Sequence, residues 1–287
     1  MKLSEIKQAL AEGQIQLTKS LGQNFLHDGN QLRRIVKTAE VGTGDQVLEI
    51  GPGLGPLTSQ LLAAGAHVLA IEKDQRLVHQ LEARLRDAVR LDLRHADALV
   101  FIEQEATDWS HWKVVANLPY SVASPILLSF ARMPAAPKQV VVTLQLEVAQ
   151  RILSRPGSED YGTFGLLIQA RYDARGQFRI PPTCFFPEPG VDSACLNLVR
   201  RAEPPLTPAQ YETFTRVVKQ SFSQRRKMML KLLKAQWPQE ALLSAFAKVG
   251  VSLQARAETV SLDQFIEFAK QLHAPLPAPC DTTPSQP

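Results

Sequence analysis

The sequence predicts an α/β chain with a mostly parallel sheet, followed by a small helical domain. Two observations carry this. Short apolar runs at residues 46–50, 67–71, 112–116 and 139–146 alternate with stretches of helical periodicity, the pattern of βαβ units. After Pro204 and Pro205 the strand-like runs stop and only helical patterns follow.

Taken in order, residues 46–50 (QVLEI) form a short apolar run that ends at the turn Gly51-Pro52-Gly53-Leu54-Gly55. Leu57, Leu61 and Leu62 then recur at helical spacing. Residues 67–71 make the second strand, ending at Glu72, and Val78, Leu81 and Leu85 mark the next helix. A third strand is expected over residues 89–93, a fourth over 112–116, a helix near 125–132 and a further strand over 139–146. Beyond the proline pair, Thr207 and Pro208 read as a helix N-cap with proline in the first turn. Tyr211, Phe214, Val217 and Val218 line one face of that helix. Ser261 and Gln264 have capping-box spacing ahead of Leu262, Phe265, Ile266 and Ala269. The boundaries expected are a catalytic domain at 1–202, a helical domain at 203–273 and a proline-rich, disordered tail at 274–287.

Composition narrows the function classes. Of 287 residues, 45% are apolar and 21% charged, which argues against disorder. The longest unbroken apolar run, Ala98 to Ile102, is too short to span a bilayer. The N-terminus carries acids and no apolar stretch, so no secretory signal is expected. Cys184, Cys195 and Cys280 lack paired spacing and read as reduced thiols of a cytoplasmic protein. No metal site is expected, and the chain reads as a monomer. The net charge of +4 hides an uneven distribution. Between positions 200 and 234, nine basic residues face two acids, a balance of +7 that leaves −3 for the rest. Such a block is either a solvated helix face or a surface for a polyanion.

The glycine turn and Glu72 belong together. In a doubly wound sheet the first strand-to-helix turn lies against the ligand, and an acid at the end of the second strand takes a ribose hydroxyl. Gly51 and Gly53 would let the backbone approach closely. A bare tight turn is the alternative, but strand context and the acid favour a nucleoside cofactor. The spacing G-x-G-x-G differs from the dinucleotide pattern, and no Lys-Ser or Lys-Thr pair follows to make a phosphate loop. A cofactor without phosphates fits better, S-adenosylmethionine foremost, with Asp97 placed to accept from its adenine amine.

Asn117-Leu118-Pro119-Tyr120 follows the fourth strand. An exocyclic adenine amine shares its lone pair with the ring, and two acceptors on its hydrogens can turn that lone pair toward a methyl donor. The Asn117 oxygen and a backbone carbonyl near Leu118 would supply them, with Pro119 fixing the turn and Tyr120 offering a stacking face. Alone, the tetrapeptide is also a strand-ending turn with a packed tyrosine.

Eight stretches in order, KSLGQNFLHD (19–28), VLEIGPGLGPLT (47–58), AIEKD (70–74), HADAL (95–99), VANLPY (115–120), LQLEVAQRI (144–152), FFPEPGVDSA (185–194) and FSQRRK (222–227), carry a family resemblance. The chain resembles the KsgA-type ribosomal RNA small-subunit adenine dimethyltransferases, relatives of the Erm methyltransferases. The resemblance implies a Rossmann-like S-adenosylmethionine-dependent methyltransferase fold with a small C-terminal helical domain. It implies dimethylation of two adjacent adenines in the 3′-terminal hairpin loop of 16S rRNA within the small (30S) subunit, with a part in subunit biogenesis. Asn24, Leu26, Gly51, Gly53, Glu72, Asp97, Ala98 and Asn117 would hold the cofactor. Asn117, Leu118, Pro119 and Tyr120 would do the chemistry, with Phe185 on the other face of the base. Arg225, Arg226 and Lys227 would meet RNA phosphates. The chain departs from the family pattern at Phe186, Glu188 and Gly190, where a small residue, a proline and a lysine are usual. Three rivals remain at this stage: an Erm-like enzyme of large-subunit RNA, a dinucleotide oxidoreductase disfavoured by the glycine spacing, and a non-catalytic assembly factor.

Overall fold

The apolar runs line up as the centre of a seven-stranded sheet in the computed structural model, which describes residues 1, 3–13, 15, 23–104 and 107–273. Residues 19–22 of the first family stretch, Cys280 and the proline-rich tail lie outside the described residues.

The first half of the chain gives α1 (Leu3–Glu12), β1 (Phe25–Leu26), α2 (Gly29–Thr38), β2 (Gln46–Ile50), α3 (Pro56–Ala63), β3 (His67–Glu72), α4 (Gln75–Leu85), β4 (Leu91–His95) and α5 (Ala98–Gln104). Then come β5 (Lys113–Asn117), α6 (Tyr120–Arg132), β6 (Gln139–Gln145), α7 (Leu146–Leu153), α8 (Thr163–Gln169), β7 (Tyr172–Ile180), β8 (Phe185–Phe186) and β9 (Ser193–Arg200). Helices α9 (Pro208–Ser221), α10 (Met229–Leu233), α11 (Gln239–Val249) and α12 (Leu262–Leu272) complete the described chain.

Strand order is β4-β3-β2-β5-β6-β9-β7. The first five strands are parallel, and β9 and β7 add an antiparallel edge. The chain steps outward from β2 to β3 and β4, then returns to β5 on the other side of β2. That reversal opens a crevice at the carboxyl ends of β2 and β5, where ligands bind in such sheets. Both faces are covered over the central strands β2, β3, β5 and β6, which therefore read as mostly apolar runs. Val114 and Ala116 pack toward α6, while Val115 between them packs toward α2 and α3.

Local sequence sets the boundaries. Helix α3 starts at Pro56 in its first turn after Gly55, which is left-handed at φ 76°. Helix α6 begins at Tyr120, five residues earlier than the sequence predicts. The expectation stopped at Pro125, but the carbonyl left without a donor belongs to Ser121, which is exposed and can be solvated. The third strand lies at Leu91–His95 rather than 89–93, because Val89 is 97% exposed.

By packing, the chain forms two units: Met1–Ser154 with Phe164–Glu203, and Arg155–Thr163 with the chain from Pro204. The sequence reading assigned Arg155–Thr163 to the first domain; the structure assigns it to the second. Long-range contacts decide this. The Gly157 N–H donates to the Glu258 carbonyl at 2.8 Å, the Tyr161 hydroxyl donates to the Val260 carbonyl at 2.7 Å, and the Tyr161 ring meets Phe222 edge-on. In this second unit, capping boxes close the N-termini of α9 (Thr207 with Gln210) and α12 (Ser261 with Gln264). Phe214, Val217, Phe246, Phe265 and Phe268 build its core. Among the described residues no helix is long and apolar enough to cross a membrane, and no group of three or more His, Cys, Asp or Glu could hold a metal ion.

Candidate active site

The turn after β2 holds its shape because glycine stands where other residues would be strained. Gly51 and Gly53 have φ of 66° and 60°. A Cβ on Gly53 would come within 2.7 Å of the Phe25 ring, and one on Gly51 within 3.3 Å of Pro119. The Gly51 N–H donates to the Ile71 carbonyl at 2.9 Å, tying the turn to β3. The turn therefore touches both the segment before α2 and the tetrapeptide after β5. A single pocket is lined by Asn24, Leu26, Gly51, Gly53, Glu72, Asp97 and Ala98 on one side and by Asn117 through Tyr120 on the other.

Among the described residues, three carboxyl groups line this pocket, those of Glu49, Glu72 and Asp97, against the single ammonium of Lys73. Glu72 is buried and orients the turn: one oxygen accepts from Gly53 N–H at 3.1 Å, the other from the N–H groups of Lys73 and Asp74 at 2.9 Å each. Burial raises its pKa, and those backbone donors oppose the rise. The Lys73 ammonium, 2.8 Å from Asp97, holds the Asp97 carboxyl below the usual range. The second Asp97 oxygen accepts from Leu99 N–H at 3.0 Å. Glu49, which the sequence reading did not single out, is 1% exposed, and its Oε2 has no hydrogen-bond partner. Burial, with the nearby Glu72 charge, pushes its pKa up to about 8. An acid inside an otherwise apolar strand was the signal that could have found it.

At the end of β5, Asn117 pairs in register with Thr143 of β6, and the Leu118 N–H donates to the Thr143 carbonyl at 3.1 Å. The Asn117 amide donates from Nδ2 to the Asn24 carbonyl at 2.9 Å. That bond fixes the amide, and its buried Oδ1 has no partner among the described residues. Pro119 is the residue preceding α6 and starts the helix at Tyr120. Tyr120 is half-buried, its hydroxyl 2.6 Å from Ser193 Oγ; burial raises the phenol pKa and the Ser193 bond opposes this.

Phe185 stands apart from this group. It is 1% exposed and packs with Leu26, Ile180 and Cys195 in the core, outside the pocket lining. The pairing of β8 with β1, Leu26 opposite Phe185, turns its ring inward. The open stacking face expected of it is not present in this structure. Phe186 points the other way, half-buried against the cluster around Ile6 and Phe25, with the Lys7 ammonium 5.3 Å from its ring centre.

The basic triplet lies on the second unit, in the turn between α9 and α10, and all three residues are exposed. Arg225 is already engaged: its guanidinium donates to the Glu159 carbonyl and lies 3.4 Å from the Glu258 carboxylate.

The pocket suits a cationic nucleoside: a turn in which Gly51 and Gly53 present no Cβ, a buried carboxyl group at the end of β3, and Asp97 just beyond β4. The residues present thus fit S-adenosylmethionine, and the orphaned Oδ1 supplies an acceptor for a second molecule's N–H. Residues 14–274 match the family model described as ribosomal RNA adenine dimethylase. The chain is 38% identical over 268 residues to ribosomal RNA small subunit methyltransferase A of Chlamydia caviae, covering 92% of this chain and 95% of that one. It is also 38% identical over 269 residues to the protein of that name from Lactiplantibacillus plantarum, covering 90% and 91%. Among solved structures, the 23S rRNA methyltransferase ErmE superposes with a TM-score of 0.67 at 27% identity, over 86% of this chain and 99% of that one. A dimethyladenosine transferase from Plasmodium falciparum shares the fold, with a TM-score of 0.73 at 22% identity over 85% and 95%. With the match running through both units, the chain belongs to the ribosomal RNA adenine dimethylase family.

Proposed function

We propose that this adenine dimethyltransferase uses S-adenosylmethionine to dimethylate two adjacent adenines in the 3′-terminal hairpin loop of 16S rRNA, acting on the small (30S) subunit in the cytoplasm and contributing to its biogenesis. The observation that carries the chemistry is Asn117: its Nδ2 is spent on the Asn24 carbonyl, and its buried Oδ1 is unpartnered. The choice of small-subunit RNA is supported by the relatives named above.

When bound, the cofactor supplies a methyl group on a sulfonium centre. The chain supplies position and electrostatics. Glu72 would take the ribose hydroxyls and Asp97 the adenine amine. Gly51 and Gly53 would let the backbone meet the methionine part, with Asn24, Leu26 and Ala98 lining the walls. Asn117 Oδ1 accepts one hydrogen of the target amine and the Leu118 carbonyl accepts the other, turning the nitrogen lone pair toward the methyl. Pro119 fixes this turn, and the Tyr120 ring stacks on the base, with Phe185 in the wall behind β1 rather than on the open face. A nitrogen so oriented could take the methyl as its bond to sulfur breaks and a neutral thioether leaves, and the methylated amine would then release its proton to water, so no buried base is needed. A base in a hairpin loop unstacks more cheaply than one in a duplex. Arg226 and Lys227, exposed beside the engaged Arg225, contact RNA phosphates through counterion release.

The test is incorporation of labelled methyl groups into unmethylated small subunits, followed by digestion to locate the label. Label in two adjacent adenines of the 3′-terminal hairpin is expected. Label found in large-subunit RNA alone would move the assignment to that substrate, and no incorporation by the intact protein would overturn the reading. Replacing Arg226 and Lys227 with alanine should lower the slope of log affinity against log salt by about two units.

A further inference from the structure

We infer that Ser193 is a positioning residue for this reaction: its hydroxyl pins the Tyr120 phenol and so sets the direction in which the ring meets the target base. The inference rests on the proposed stacking role of Tyr120. Ser193 is fully buried at the start of β9, opposite Gln145 at the end of β6. Strand β9 runs antiparallel to β6, so its first residue lies at the carboxyl edge of the parallel strands, beside the tetrapeptide. The hydroxyl-to-hydroxyl distance is 2.6 Å, at the short end for such a bond.

Ser193 is itself held from both sides. It is paired within the sheet, and the Asp192 carbonyl before it accepts from the Leu146 N–H at 2.9 Å. The Asp192 carboxylate pairs with Arg179, 2.5 Å away. A tyrosine hydroxyl lies on the axis about which the ring turns. A bond there fixes where the ring axis points and leaves the ring plane free to turn parallel to a base. Without it, a half-buried tyrosine at the first turn of a helix has other rotamers open to it.

The experiment compares Ser193→Ala, Ser193→Thr, Tyr120→Phe and the double variant Ser193→Ala with Tyr120→Phe, in the full chain. The readouts are kcat and KM for small subunits, cofactor Kd, and quenching of 2-aminopurine placed at a target adenine. Ser193→Ala and Tyr120→Phe should each raise KM by about three- to tenfold, the range of one lost neutral hydrogen bond, with kcat within about twofold. The double variant should be no worse than either single, quenching should weaken, Ser193→Thr should restore KM, and cofactor Kd should not move. Additive losses, or a Tyr120→Phe enzyme with wild-type KM and quenching, would overturn the inference. Tyr120→Phe keeps the ring and removes the bond from the half-buried side, so it remains informative should Ser193→Ala fail to fold. Absence of methylation by the wild-type protein would instead count against the proposed function.

Discussion

Asp45 and Glu49 sit four residues apart, at opposite ends of β2, under opposite electrostatic conditions. Asp45, at the amino end, accepts from the Lys113 ammonium at 2.9 Å, the Lys138 ammonium at 3.1 Å and the Gly42 N–H at 3.0 Å. Burial works to raise its pKa, but these donors outweigh it and hold the carboxyl down at about 2. Among the described residues no cation pairs with Glu49, and burial drives it the other way, to about 8. Nearby, Asn117 Oδ1 is also buried without a partner among the described residues. At the amino end the polar groups are matched within the fold. At the carboxyl end Glu49 Oε2 and Asn117 Oδ1 are left unmatched, which is where a ligand can complete them.

The strongest way to break this comparison is Asn117→Ala. If the orphaned oxygen acts only on a bound base, kcat/KM should fall by about 10²–10³, the range for losing one oriented group of this kind. Thermal stability should move little, since only the bond to Asn24 is lost. A large drop in Tm with activity per folded molecule preserved would reverse the assignment. Next comes Lys113→Ala, at the other end of the strands. Lys113 and Asp45 are largely buried, with side chains 10% and 19% exposed. Removing the ammonium should destabilise by about 2–3 kcal/mol, with activity per folded molecule unchanged. Denaturant melts and specific activity check both halves of that statement.

The smallest effect per unit of pH sharpens the contrast in sign. Asp45 has a native pKa below its ordinary 3.8, so its contribution is present above about pH 4 and is lost as pH falls toward 2. Glu49 has a native pKa above its ordinary 4.5, so the folded state holds more protons between 4.5 and 8. Its contribution therefore declines as pH rises through that window, by at most about 1.4 kcal/mol per unit. Glu49→Gln should flatten wild-type stability measured from pH 4.5 to 8 and leave the acid limb below pH 4 in place. Equal slopes for both proteins would show that Glu49 titrates normally.

What the sequence made legible was local. The glycine turn, Glu72 and the tetrapeptide each sit where a short apolar run ends, and the end of a run can be seen in one dimension. What stayed hidden depended on distant partners. Strand β7 carries charged and polar residues because it is a sheet edge, and it shows none of the apolar pattern of the central strands. Phe185 and Phe186 are adjacent, so only the pairing with Phe25 and Leu26, some 160 positions away, decides which ring turns inward. Ser193 has no signal of its own; its partner lies 73 residues earlier. Arg225 looked like part of a free basic run until Glu159 and Glu258 were brought beside it.

The detour of Arg155–Thr163 into the second unit bears on the order in which the molecule can be completed. Synthesis proceeds from the amino end, so by Glu203 every strand of the first unit exists and its sheet can close. The nine-residue loop is by then on hand, but Phe222, Glu258 and Val260 are still unmade. Tyr161 must wait, its ring and hydroxyl in water, until nearly the whole chain has emerged. The second unit is thus assembled from a loop made early and from chain made after Glu203, with strands β7, β8 and β9 of the first unit made in between.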